Sequence, residues 1–153
     1  MATQPTIELH LLDRSRAQRI AWLLDELALP YSIVAYKRTA AGLAPPELTA
    51  VHPLGKSPVI TVSNVAGRSE EEPLVLAESG FMAQYLCEWQ GKLVPQKWKE
   101  GMEGVLGGET VAWARWMHLM HYVEGSFMPV VVISLLIGRE CTLLRGGDLK
   151  LEC

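Results

Sequence analysis

Residues 52–60, HPLGKSPVI, constrain the fold more than any other stretch of the chain. Pro53 and Gly55 break the chain, and Ser57-Pro58 leads into a β-type run, Val59 to Val62. Proline has no ladder N–H, so Pro58 is confined to the first residue of a strand or to an edge. An X-Pro bond is also the one peptide bond that adopts cis cheaply, and the sequence predicts a cis bond here. Such a bond leaves the backbone N–H and C=O of Ser57 open at a strand start, where an extended peptide can pair with them. Lys56 adds a positive charge beside them.

A second stretch, LAESG at 76–80, follows the apolar triplet Leu74–Leu76 and opens a helical pattern through Phe81, Met82, Tyr85 and Leu86. A helix N-terminus carries unpaired N–H groups and partial positive charge, which attract a carboxylate. Ser79 would add a hydroxyl to that carboxylate, and Glu78 would hold an ammonium next to it. An α-amino acid head group fits such a pair. The plainer reading makes Ser79 the N-cap and Glu78 a first-turn residue matched to the helix dipole.

Thr6–Leu12 reads as a strand, with Ile7, Leu9 and Leu11 on one face. Ile20, Leu23, Leu24, Leu27 and Ala28 then recur at helical spacing, giving an amphipathic helix from about Ser15, its N-cap, to Leu29. Tyr31 to Tyr36 is rich in strand formers and completes a βαβ unit. Pro45-Pro46-Glu47-Leu48 opens a short helical turn. Two strands follow, from Val59 to Leu76, joined by the polar loop Ser63–Pro73 with its solvated Glu70–Glu72 run, and a helix from Glu78 to about Trp89 closes the unit. The order β-α-β-α-β-β-α predicts a mixed four-stranded sheet with packed helices.

Residues 96–108, with glycine at 101, 104, 107 and 108, make at best a weak helix. From Glu109 the pattern Ala112, Trp113, Trp116, Met117, Met120 and Val123 predicts a helix that ends near Gly125 and Pro129. Beyond about Ile133 no helix longer than a few turns is expected, and Gly146-Gly147 interrupts the tail.

The net charge of −3 argues against a nucleic-acid surface. Cys87, Cys141 and Cys153 are widely spaced with no C-x-x-C, which fits a reducing compartment. His118 and His121 are three apart on the predicted helix but lack a third ligand, so no metal site is expected. Met1–Thr6 has neither the basic start nor the apolar stretch of a signal peptide. The run Met128 to Ile137 falls short of the roughly 20 residues that span a bilayer. A soluble, cytoplasmic protein without a transmembrane segment is the expectation.

HPLGKSPVI followed by LAESGFMAQYL resembles the glutathione-binding half of the glutathione S-transferases, most of all their fungal branch. The resemblance runs through residues 6–92 and, more weakly, 107–130. It implies a thioredoxin-like domain over 1–92 and a partial all-helical domain over 93–153, with a tail unlike the family from about 133. By resemblance the second domain stops early, as in a truncated product. Ser57 would bind the cysteinyl amide of glutathione through its backbone beside cis-Pro58. Glu78 and Ser79 would hold the γ-glutamyl head, with Lys56 near the tripeptide's charged groups. Glutathione would be a co-substrate, with no further cofactor.

In this family a Ser, Tyr or Cys at the end of the first strand activates the thiol. The matching segment is Leu12-Asp13-Arg14-Ser15-Arg16, where Ser15 is the sole hydroxyl. Ser15 is therefore the candidate catalytic residue, with N-capping as its non-functional account and Arg14 and Arg16 as alternative sources of polarisation. The helix from Glu109 would line a homodimer interface and one wall of the pocket for an electrophilic small molecule. Its aromatic and methionine stripe is also what a core helix uses. Three readings stand: a transferase, a non-catalytic glutathione-binding or protein-interaction module, and a truncated product without stable function.

Overall fold

The computed structural model of the chain describes residues 5–67, 69 and 72–145. It divides into two compact units, Met1–Val94 and Pro95–Cys153. The first contains β1 (Thr6–Leu12), α1 (Ala17–Glu26), β2 (Tyr31–Tyr36), α2 (Glu47–Val51), β3 (Val59–Ser63), β4 (Leu74–Ala77) and α3 (Ser79–Gln90). Its four-stranded sheet has the order β2-β1-β3-β4. β1 pairs parallel with β2 and antiparallel with β3, and β3 pairs antiparallel with β4. This is the mixed, thioredoxin-like sheet that the element order predicts.

Strand alternation places Ile7 and Leu9 of β1, Ile60 and Val62 of β3 and Leu76 of β4 in one core. Ile20, Leu24 and Leu27, from α1 and its C-cap, and Met82 and Leu86 of α3 complete it. Burying each of these large side chains contributes about 1.5–3 kcal/mol relative to exposure. Cys87, on the same helix, is also buried, and burial, with Glu88 nearby, pushes its thiol pKa up.

Two helix boundaries depart from expectation. α1 ends at Glu26 rather than near Leu29, because Ala28 is left-handed (φ 55°) and turns the chain before Pro30. The N–H groups of Ala28 and Leu29 donate to the carbonyls of Asp25 and Leu24, both at 2.9 Å. α3 starts one residue later than expected and closes on left-handed Gly91 (φ 60°), as C′ glycines do. Of the acidic run in the β3–β4 loop, Glu70 and Glu71 lie outside the described residues.

In the second unit, residues 96–108 form no helix. They make a series of turns closed by a bridge between Trp98 and Glu109. Lys97 lies over the rings of both Trp98 and Trp113, its Nζ 4.8 Å from each centroid. Thr110 caps α4 (Val111–Tyr122), its hydroxyl accepting from the Trp113 N–H at 3.1 Å.

The expected stop at Gly125 and Pro129 does not occur. A π-type turn, Val123–Phe127, carries the chain into α5 (Met128–Arg145). Proline has no N–H to donate back one turn, and a wider turn before it accommodates that loss. The tail is therefore helical to Arg145, and the part beyond about 133 amounts to the few turns expected, while Gly146-Gly147 and Cys153 lie outside the described residues.

Val111–Gly138 is thus a run of 28 helical residues whose most apolar 18-residue stretch has a mean hydropathy of 1.6 and no buried residue. By length and composition alone that stretch could cross a bilayer, whereas Met128 to Ile137 taken by itself is too short. The apolar run seen in sequence is extended at its N-terminal end by α4 and the π turn. Those same two properties also describe a core helix of a larger helical layer.

The other face of the sheet buries His10, 5 % exposed. Its Nδ1 is 2.9 Å from the Tyr36 hydroxyl, and its Nε2 is 3.4 Å from Thr61 Oγ1 and 3.6 Å from Glu8 Oε2. Burial lowers the imidazole pKa below 6.5, and Glu8 only partly offsets it. As pH falls below 6.5, the unfolded chain takes up a proton that the folded chain resists. Stability from this site is therefore complete above the unfolded pKa and is lost on acidification. We expect the thermal transition to fall between pH 7.5 and 5.5, above the range of ordinary carboxylates, and His10→Asn to flatten that slope. A wild-type slope retained in the variant would remove His10 as its source.

Candidate functional site

The register brings three chain segments to one end of the sheet. His10 pairs with Val59, and Val59 pairs with Ala77. The C-terminal end of β1, the start of β3 and the end of β4 are therefore neighbours. The candidate glutathione-site residues Ser15, Lys56, Ser57, Pro58, Glu78 and Ser79 lie at that end, in its turns or at the start of α3.

The turn into β3 begins where α2 stops. His52 is extended, its N–H donating to the Leu48 carbonyl at 3.1 Å, and the Gly55 N–H donates to the His52 carbonyl at 2.8 Å. Gly55 is left-handed (φ 56°), and a Cβ there would lie 2.7 Å from Thr49 Oγ1. Lys56 beyond it is exposed. The Ser57–Pro58 peptide bond is cis, as predicted, and Pro58 is buried. Among the described residues, neither the N–H nor the C=O of Ser57 has a backbone partner.

The Ser57 side chain binds the end of β1. Its Oγ donates to the His10 carbonyl at 2.9 Å and accepts from the Leu12 N–H at 3.0 Å. Ser15 Oγ lies 3.3 Å from Ser57 Oγ and accepts from the Ala17 N–H at 3.2 Å. Ser15 thus precedes the N-cap position, which Arg16 occupies, yet its hydroxyl still serves the first helical N–H. Arg14 is exposed, left-handed (φ 51°) and 3.4 Å from the Asp13 carboxylate.

Arg38 was not legible as a site residue. Its guanidinium donates to the carbonyls of Asp13 at 3.0 Å, Gly42 at 3.0 Å and Arg14 at 3.2 Å, holding the turn that presents Ser15. No local pattern marks it, because its partners lie up to 25 positions away.

At the third turn Glu78 is left-handed (φ 69°, ψ 112°) with an exposed side chain, and it rather than Ser79 is the cap of α3. Ser79 is the first helical residue, 6 % exposed. The expected capping role of Ser79 is therefore corrected, since the helix begins one residue earlier than a serine cap requires. A non-glycine residue held in such a region costs on the order of 1–3 kcal/mol and concentrates at ligand sites. Twelve residues of α3 follow, with their first N–H groups and positive dipole end at this turn. Among the described residues no cluster of His, Cys, Asp and Glu suited to a metal is found.

Residues 14–89 match the family described as Glutathione S-transferase, N-terminal domain. The chain is 40% identical over 136 residues to Glutathione S-transferase 1 of Saccharomyces cerevisiae, covering 88% of this chain and 53% of that one. The chain belongs to the glutathione S-transferase family through this domain. Its fold is similar to a glutathione S-transferase from Actinobacillus pleuropneumoniae, at 30% identity and a TM-score of 0.61, over 94% of this chain and 56% of that one. A Pseudomonas fluorescens glutathione transferase family member, solved with two glutathione bound, matches at 26% identity and a TM-score of 0.59, over 80% of this chain and 48% of that one. This chain spans about half the length of each of these transferases.

Gly55 sets the course of the chain into Ser57, so its substitution tests how rigidly that turn is specified. Gly55→Ala should cost about 1–2 kcal/mol for the left-handed backbone alone, with a steric contribution from Thr49 added. Thr49→Ala in the same chain should recover the steric part only. Denaturant unfolding of the single and double variants measures both contributions, and a neutral Gly55→Ala would show that the turn is loosely held.

Proposed function

We propose that this chain binds glutathione at the shared sheet end and conjugates its thiolate to an electrophilic small molecule, with Ser15 as the thiol's hydrogen-bond donor. One observation carries the reading: the Ser15 hydroxyl lies 3.3 Å from that of Ser57, whose peptide bond to Pro58 is cis. The backbone groups of Ser57, without a backbone partner among the described residues, suit the cysteinyl amide. The start of α3 suits the γ-glutamyl carboxylate, Glu78 suits its ammonium, and exposed Lys56 suits a second carboxylate. The family's match over residues 14–89 and the bound glutathione of the Pseudomonas relative support the assignment.

In the reaction the thiol gives its proton to solvent, and the thiolate forms a carbon–sulfur bond as the leaving group departs. A hydrogen bond from Ser15 stabilises the thiolate and lowers the thiol pKa. No further cofactor enters. A homodimer and a cytoplasmic setting belong to the same proposal, and a light-scattering mass near twice 16.9 kDa is the expected result.

Binding without turnover is a second reading, favoured by the exposure of Leu119 and Tyr122 on α4, the helix that by resemblance would line the electrophile pocket. Turnover of an aromatic halide separates the two readings, and calorimetry on glutathione tests both. Ser79→Ala should weaken glutathione by roughly 1.5–3 kcal/mol, the scale of a hydrogen bond to a charged group. Because Ser79 is buried, thermal stability must be measured alongside. Affinity unchanged in a folded variant would remove Ser79 from the site.

A further inference from the structure

We propose that the Ser57 hydroxyl, and not only its backbone, is a positioning residue: it holds the proton of Ser15 until a thiolate takes its place. This rests on the glutathione reading above and adds a role for a side chain that the reading leaves unused. A serine hydroxyl has one proton and two lone pairs. At Ser57 the proton goes to the His10 carbonyl at 2.9 Å, and one lone pair accepts the Leu12 N–H at 3.0 Å. Only a lone pair is left for Ser15 at 3.3 Å, so in that pair Ser15 must donate.

Ser15 is constrained in turn. Its oxygen accepts from the Ala17 N–H at 3.2 Å while its own proton points at Ser57. One lone pair remains, which suits it to accept an S–H. When the thiol loses its proton to solvent, the Ser15 O–H rotates from Ser57 Oγ to the sulfur. The Ala17 N–H keeps the oxygen in place, and Ser15 retains its own proton throughout. The bond given up is long, so the exchange favours the charged sulfur acceptor over the neutral hydroxyl. Ser57 is itself held by β1 from both sides of Leu11, so the acceptor it offers is fixed by the sheet rather than by the loop.

The test has an arm without ligand and an arm with it. In the free protein, Ser57→Ala should cut amide hydrogen-exchange protection at both Leu12 and Ala17, whereas Ser15→Ala should cut it at Ala17 and spare Leu12. Loss confined to Leu12 in Ser57→Ala would overturn the proposal. With glutathione bound, the thiolate's ultraviolet absorbance is titrated against pH. Ser57→Ala should raise the thiol pKa in the direction Ser15→Ala does, shifting the thiolate fraction by up to about tenfold, the scale of one hydrogen bond. Ser57→Thr, which keeps the oxygen, should restore the wild-type titration. An unshifted thiol in Ser57→Ala beside a shifted one in Ser15→Ala would equally overturn it. If Ser57→Ala does not fold, Ser57→Cys, a weaker acceptor, should give partial loss at Ala17 in the exchange arm, and full protection there would sink the idea. Failure of the wild-type chain to bind glutathione would instead remove the functional reading, and the exchange arm would still decide whether Ser57 positions Ser15.

Discussion

Everything in the first unit depends on β1 having a partner on each side. Its backbone pairs with β2 along one edge and β3 along the other, so it cannot slide without breaking two ladders. A one-residue slip would also exchange Ile7 and Leu9 for Glu8 and His10 in the core. The turn after Leu12 is thereby aligned with the start of β3, and through β3 with the end of β4. The site is a consequence of register: three turns that are distant in sequence open at one edge because a single strand orders the other three.

The first unit was legible because its signals are local. Alternation in Thr6–Leu12, the S-P step before Val59 and the helical spacing after Ser79 each show within a short window, and the four strands lie where those windows place them. Boundaries were less legible where the deciding feature was a backbone angle. Left-handed Ala28 and Glu78 carry no compositional mark, and each moved a helix end. At the site, the residue types at 15, 57, 78 and 79 could be read, but the Ser15–Ser57 contact could not, since it joins positions 42 apart. His10 looked like one more strand residue, and its bonds to Tyr36 and Thr61 depend on the pairing of three strands.

The second unit shows the opposite failure, in which local signals misled. Gly125 and Pro129 are helix breakers by propensity, and together they predict a stop. The chain instead places a π turn ahead of the proline and continues. Propensity fixes the cost of those residues in a helix, not whether flanking apolar turns outweigh it. The flanks here, Val111–Tyr122 and Met128–Arg145, are long enough to do so.

Arg38 has a consequence for anyone who would move this site elsewhere. The segment around Asp13 and Arg14 has no regular structure of its own, and its carbonyls are gathered by a guanidinium that also reaches Gly42. A fork with five N–H donors can serve three carbonyls at once, while a lysine brings the same charge to a single point. Grafting residues 12–17 onto another scaffold would therefore transplant the serine without its shape. The portable unit is the turn together with position 38 and the Gly42 loop it spans.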